Sequence, residues 1–156
     1  MNDNKLMNRA ADNIRLLAVS MVEKAKSGHP GGAMGGADFI NVLFSDFMVY
    51  DPNNPSWPGR DRFFLDPGHM SAMLYSALAL QGRFSIDDLK EFRQWGSHTP
   101  GHPERDIERG IENTSGPLGQ GHTFAVGAAI AEKFLAARLS DKVMKHKIYA
   151  YISDGG

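Results

Sequence analysis

The chain has 156 residues, 42% of them hydrophobic and 22% charged, with a formal net charge of −1 and no cysteine. These are the proportions of one ordinary globular domain, long enough to enclose a core. A charge this close to zero leaves no electrostatic footprint for nucleic acid or an anionic membrane surface. No stretch approaches the roughly 20 apolar residues of a membrane span. The missing cysteines exclude disulfides, thiolate metal sites and a Cys nucleophile, which fits a reducing, cytoplasmic setting.

Met1-Asn-Asp-Asn-Lys5 has no basic segment followed by an apolar one, so no signal peptide is read here. Apolar positions at Leu6, Met7, Ala10, Ile14, Leu17, Met21, Val22 and Ala25 predict an amphipathic helix over 4–26, stopped by Gly28 and Pro30. A second apolar run from Ala37 to Val49 predicts a buried helix, and Asp51 to Pro58, with Pro52, Pro55 and Pro58, predicts a rigid loop. Arg62 to Asp66 reads as a short strand ending at Pro67-Gly68. A helix over 69–81 follows, then a short one through Trp95 whose cap is Ser85 with Asp88 three residues on. Residues 96–119 are rich in glycine and proline and predict a long loop of the functional or disordered kind. Ala125 to Leu139 predicts an alanine-rich helix of the core, and Lys147 to Ser153 a strand. Helices alternating with strands argue for an α/β architecture with a mostly parallel sheet flanked by helices, whose ligands sit beyond the carboxyl ends of the strands.

The chemistry gathers on glycine–histidine pairs, since four of the six histidines follow a glycine: His29, His69, His102 and His122. His29 and His102 also precede a proline, which restricts them to extended backbone and holds the imidazole on a stiff loop. Each is either a proton-relay or polar-contact residue or a plain loop histidine. Their spacing is not that of metal ligands. His98 and His146 lack the glycine context and read as solvent-facing, and His122 as a structural residue in the first turn of a helix. Ser115-Gly-Pro-Leu-Gly-Gln-Gly121 leads into a helix and is either a phosphate-type ligand loop or a tight structural turn; its glycines match neither the P-loop nor the Rossmann order. Asp154, at a strand end and followed by two glycines, is either a ligand for a hard divalent cation or an ordinary Asp-Gly turn.

Taken in order, Lys26-Ser-Gly-His29-Pro-Gly-Gly, Gly68-His69, Thr99-Pro-Gly-His102-Pro-Glu, Ser115 to Gly121 and Asp154-Gly155 resemble the N-terminal region of the transketolases over essentially the whole chain. The resemblance implies a homodimeric, thiamine diphosphate-dependent enzyme of the pentose phosphate pathway that moves two-carbon ketol units between sugar phosphates. Residues 1–156 would then be the N-terminal part of its diphosphate-binding domain, with no second domain. The resemblance further implies that Asp154 binds Mg²⁺ or Ca²⁺ and that His69 and Gly155 contact the diphosphate. Gly116, Pro117 and Leu118 would line the cofactor, and His29 and His102 would contact substrate hydroxyls and assist proton transfer.

Two departures accompany it. Ser153 stands where the family's metal motif has glycine, and Asp66-Pro67 precedes Gly68-His69 where many members have serine or asparagine. The family's second metal ligand, an asparagine, has no counterpart after Asp154, so the chain reads as a fragment that is inactive alone and folds only in part. A related thiamine enzyme such as dihydroxyacetone synthase, or a non-catalytic binding or dimerisation module completed by a partner chain, are the competing readings.

Overall fold

A computed structural model describes residues 3–156, which form two compact units: residues 3–47 with 69–103, and residues 48–68 with 104–156. The first unit is helical. Its longest element, α1 (Asn4–Ala25), starts where the Asp3 side chain accepts the Lys5 N–H at 2.9 Å, and it buries Ala11, Ile14, Ala18 and Met21. Spacings of three and four put these on one stripe. α1 ends one step before the predicted limit because Lys26 turns left-handed, with φ 51°. Pro30 then starts a helix instead of only ending one. Its missing N–H costs nothing at a first helical position, and α2 (Pro30–Gly35) and α3 (Ala37–Val42) follow in succession. The apolar run 37–49 is thus a short helix and a π-type turn over Leu43–Phe47. Only part of it is buried: Ile40 and Leu43 are inside, whereas Phe39 and Phe47 are exposed.

α4 (Ser71–Leu80) is the hub of this unit and packs on α1, α2 and α3. Every residue from Ser71 to Leu78 is buried and solvent is reached at the last turn, at Leu80, so the helix has no amphipathic signature. α5 (Ile86–Lys90) opens with a reciprocal capping box between Ser85 and Asp88, as the sequence predicts. It stops short of Trp95, because Arg93 adopts φ 62° and its N–H donates to the Thr99 carbonyl at 2.9 Å.

The second unit holds the sheet, in which β1 (Arg62–Leu65) and β2 (Ile148–Tyr151) run parallel, with Arg62 opposite Ile148 and Leu65 opposite Tyr151. Parallel pairing demands a crossover connection. α6 (Gln120–Leu139) lies within it and packs on both strands, and the short α7 (Asp141–Met144) follows. The strand ends are tied by buried polar groups. At the N-terminal end, the Asp61 carboxylate accepts the Val49 N–H at 3.0 Å and the Lys147 N–H at 2.6 Å. Across Leu65, the Asn113 side chain accepts its N–H at 3.2 Å and donates to its carbonyl at 3.1 Å, standing in for a further strand. A buried bidentate pair joins Arg60 to Glu112, with both hydrogen bonds at 3.0 Å. These bonds order the 104–115 stretch, whose own pairing is one antiparallel bridge between Asp106 and Ile111.

α6 is not the core helix its composition suggests. Only Gly121, Ala125 and Ala136 are buried, while Phe124, Val126, Ile130 and Phe134 are each at least 50% exposed. A helix lying on two strands buries one stripe, and small residues on that stripe bring its backbone close. The approach is tightest at Gly121, where a Cβ would stand 2.4 Å from the Asp66 Cα. Gly121→Ala is therefore expected to lower stability by about 3 kcal/mol, the upper part of the overpacking range. Gly127→Ala, with nothing within 4 Å of the added carbon, should be neutral or gain up to about 1 kcal/mol from helix propensity. Denaturant midpoints of the two variants provide the comparison.

Candidate functional site

The sequence-predicted residues fall into two groups, one in each unit. In the first unit three glycine–histidine turns supply imidazoles. His29 sits just before α2 in extended backbone, φ −123° and ψ 100°, the conformation a following proline imposes. His69 lies in the single 3₁₀ turn that enters α4. The rings of His29 and His69 meet edge to face with centroids 5.0 Å apart.

His102 is aimed by α4 and by the stretch after α5. Ser71 Oγ donates to the Gly101 carbonyl at 2.8 Å, and Tyr75 Oη to the Pro100 carbonyl at 2.9 Å. Buried Thr99 donates to the Asp88 carbonyl at 2.9 Å. Arg93, which no sequence pattern singles out, joins the two Gly-His-Pro turns. Its Nη1 donates to Ser27 Oγ at 2.9 Å, and its Nε would lie 3.6 Å from a Cβ on Gly28 and 2.8 Å from one on Gly101. Gly28, at φ 130°, is also where an L side chain would be strained.

Electrostatics separate two of these imidazoles, His69 and His102, from free histidine. Burial pushes the His69 pKa below its ordinary value, helped by the fields of His29 and then His102. Burial also lowers that of His102, followed by the Arg93 guanidinium and His29. The charged form of histidine is the protonated one, so both effects favour the neutral ring at neutral pH, able to donate at one nitrogen and accept at the other. His98 is exposed, as the sequence predicts, whereas His146 is half-buried, with Nδ1 2.8 Å from the Met144 carbonyl oxygen.

In the second unit the loop and the strand-end aspartate come together. A Cβ on Gly155 would lie 2.8 Å from Leu118 Cδ1, so the Asp154-Gly155 turn packs on the Gly116-Pro117-Leu118 segment. Nothing stands within 4 Å of a Cβ on Gly116, Pro117 and Leu118 are exposed, and so is Asp154. The Ser153 Oγ is buried with no hydrogen-bond partner among the described residues.

The turn after Leu118 is committed elsewhere. Asp66, fully buried at the end of β1, accepts the N–H of Gly119 at 3.0 Å, of Gly121 at 2.7 Å and of His122 at 3.2 Å, and the Gln120 N–H donates to the Pro117 carbonyl at 3.4 Å. Burial opposes the charge on Asp66. The N–H groups of Gly119, His122 and Gly121, with the His122 ring, outweigh it and hold the carboxyl below its ordinary range. The N–H groups of Gly119, Gly121 and His122 are thus engaged by the chain's own carboxylate, whereas Pro117 and Leu118 are exposed. The sequence signal for Asp66 was its place at a strand end, where Asp-Pro replaces the family's usual residues.

The donor set suits a diphosphate with a hard cation. One exposed carboxylate at a strand end, beside glycine backbone, is the kind of protein ligand that shares Mg²⁺ or Ca²⁺ with phosphate oxygens. Among the described residues no group of three or more acidic or histidine side chains forms a complete metal cage.

The lowered histidine pKa values have a pH consequence. Native stability that depends on neutral His69 and His102 is fully present above about pH 6.5 and is lost as pH falls through their lowered native values. Imidazole proton shifts followed by NMR should place both midpoints below 6.5, and His29→Gln should move that of His69 upward. An unmoved His69 midpoint in that variant would count against the mutual field.

The family model described as "Transketolase, thiamine diphosphate binding domain" matches residues 6–156. The chain is 51% identical to "Transketolase-1, chloroplastic" of Arabidopsis thaliana over 158 residues, 98% of this chain and 21% of that protein. It is 51% identical to "Transketolase 1" of Escherichia coli (strain K12) over 149 residues, 93% of this chain and 22% of that one. Among solved structures, a transketolase from Leishmania mexicana superposes with a TM-score of 0.90 at 46% identity, covering 96% of this chain and 23% of that one. One from Campylobacter jejuni gives 0.92 at 44% identity, covering 99% and 24%. The chain spans about a fifth of the length of the curated relatives it matches. No described helix is long and apolar enough to cross a membrane. In sequence and in fold alike, the chain belongs to the transketolase family, matching its thiamine diphosphate-binding domain.

Proposed function

We propose that residues 1–156 form the N-terminal part of the diphosphate-binding domain of a cytoplasmic, homodimeric transketolase, which transfers two-carbon ketol units between ketose and aldose sugar phosphates. The observation that carries this reading is the meeting of His29 and His69 from turns far apart in sequence, ring centroids 5.0 Å apart, with the field of His29 acting on both His69 and His102. Sugar hydroxyls need neutral groups that both donate and accept, and an imidazole whose pKa is pushed down, as at His102, is suited to that. His29 and His102 contact substrate oxygens and hold or return the proton there. Rigid turns keep them within the tolerance that proton transfer needs.

His69 and the Gly155 backbone hold the diphosphate, Gly116, Pro117 and Leu118 line the cofactor, and Asp154 is the ligand this chain gives to Mg²⁺ or Ca²⁺. Support comes from the packing of Gly155 on Leu118 and from the exposed Asp154 carboxylate beside them. Thiamine diphosphate, when bound, supplies the electron sink for making and breaking the carbon–carbon bond.

In the complete protein that carries this segment, His29→Ala and His102→Ala are expected to lower kcat by about 10²-fold or more, with cofactor affinity little changed. Asp154→Ala should abolish metal-dependent binding of thiamine diphosphate, read by titration calorimetry. The purified 1–156 polypeptide should show no ketol transfer. Wild-type turnover without thiamine diphosphate, or full activity in both histidine variants, would overturn the reading.

A further inference from the structure

We propose that Asp66 is a positioning residue for cofactor binding: its carboxylate fixes the turn after Gly116-Pro117-Leu118, and with it the strand-end turn of Asp154, before any ligand arrives. This rests on the cofactor reading above and adds to it a residue with no direct contact to the ligand. The side chain is fully buried and lies at the centre of three segments of the second unit. Its backbone N–H donates to the Tyr151 carbonyl at 3.0 Å, registering the ends of β1 and β2. Its carboxylate collects the N–H groups of Gly119, Gly121 and His122. Its carbonyl accepts from Ser115 Oγ at 2.6 Å, on the other side of the open loop. A Cβ on Gly156 would lie 2.7 Å from its Oδ2, so the 153–156 turn rests on the same carboxylate.

The consequence is geometric. Segment 116–118 is held at both ends by one residue, through Ser115 on one side and Gly119 on the other. A loop so clamped presents its exposed residues without an ordering cost at binding, and lost preorganisation weakens affinity before it slows chemistry. Charge matters as well as shape. Oδ1 accepts three N–H groups and Oδ2 is shared with Gly119. An amide in place of the carboxylate would turn one of those acceptors into a donor facing an N–H. Serine would keep one acceptor but would not reach all three.

Asp66→Asn and Asp66→Ser in the complete protein test this, with far-UV circular dichroism confirming the fold. Amide exchange of Gly119, Gly121 and His122, measured without cofactor, should accelerate at least about tenfold in Asp66→Asn, while α4 amides stay protected. The Kd for thiamine diphosphate with Mg²⁺ should rise about tenfold or more, with kcat at saturating cofactor within about threefold of wild type. Asp66→Ser should fall between. Unchanged exchange in Asp66→Asn, or wild-type cofactor affinity despite faster exchange, overturns the positioning role. A drop in kcat with Kd unchanged overturns it too, in favour of a direct part in the chemistry. Wild-type protein that fails to bind thiamine diphosphate overturns the cofactor reading instead, and the exchange data then still report whether Asp66 holds the turn.

Discussion

A carboxylate with no exposure has to be surrounded by donors, and in the second unit that requirement at Asp66 organises much of the rest. Removing an ionised side chain from water costs several kcal/mol unless hydrogen bonds replace the lost hydration. Here the donors are the N–H groups of Gly119, just before α6, and of Gly121 and His122 in its first turn, which have no partner within the helix and lie at its positive end. One contact therefore satisfies a buried charge and a helix terminus together. It also requires α6 to begin against the end of β1, which is why Gly121 has no room for a side chain.

Asp61 does the corresponding work at the opposite end of β1, where its carboxylate takes N–H groups from Val49 and Lys147. A four-residue strand is thus fixed at both ends by aspartates that accept from other segments, with Asn113 covering its free edge at Leu65. Such short strands gain little from ladder bonds alone. The polar brackets set the register and place the strand end, with Asp154 and Gly155 at the neighbouring one, where an α/β sheet presents its ligand site.

The first unit solves a different problem, that of aiming imidazoles carried on turns. α4 is buried on every side from Ser71 to Leu78 and carries Ser71 and Tyr75, whose hydroxyls reach the carbonyls just before His102. Phe92 and Arg93 fill the space against Gly28, and Arg93 also lies against Gly101, so the glycines of both Gly-His-Pro turns are packing requirements. Burial is the largest cause of the lowered pKa of His69 and His102, and the Arg93 that packs on these glycines adds to it at His102.

The sequence by itself determined the elements with local signals. The α1 stripe, the Ser85–Asp88 cap, both strands and the pre-proline histidines each follow from spacing or from one residue's covalent geometry. It also marked the three histidine turns, the 115–121 loop and Asp154, because glycine, proline and strand ends leave local traces. Where partners come from afar, the sequence is silent. Pro30 starting a helix, α5 ending at Lys90 ahead of the left-handed Arg93 and α6 lying half exposed depend on which surfaces meet, and hydropathy alone cannot report that. Asp66 shows the difference most sharply. An Asp-Pro-Gly after a strand looks like a turn, and only the fold brings residues 119–122 to it, because a buried charge is stabilised by groups that chain order does not place beside it.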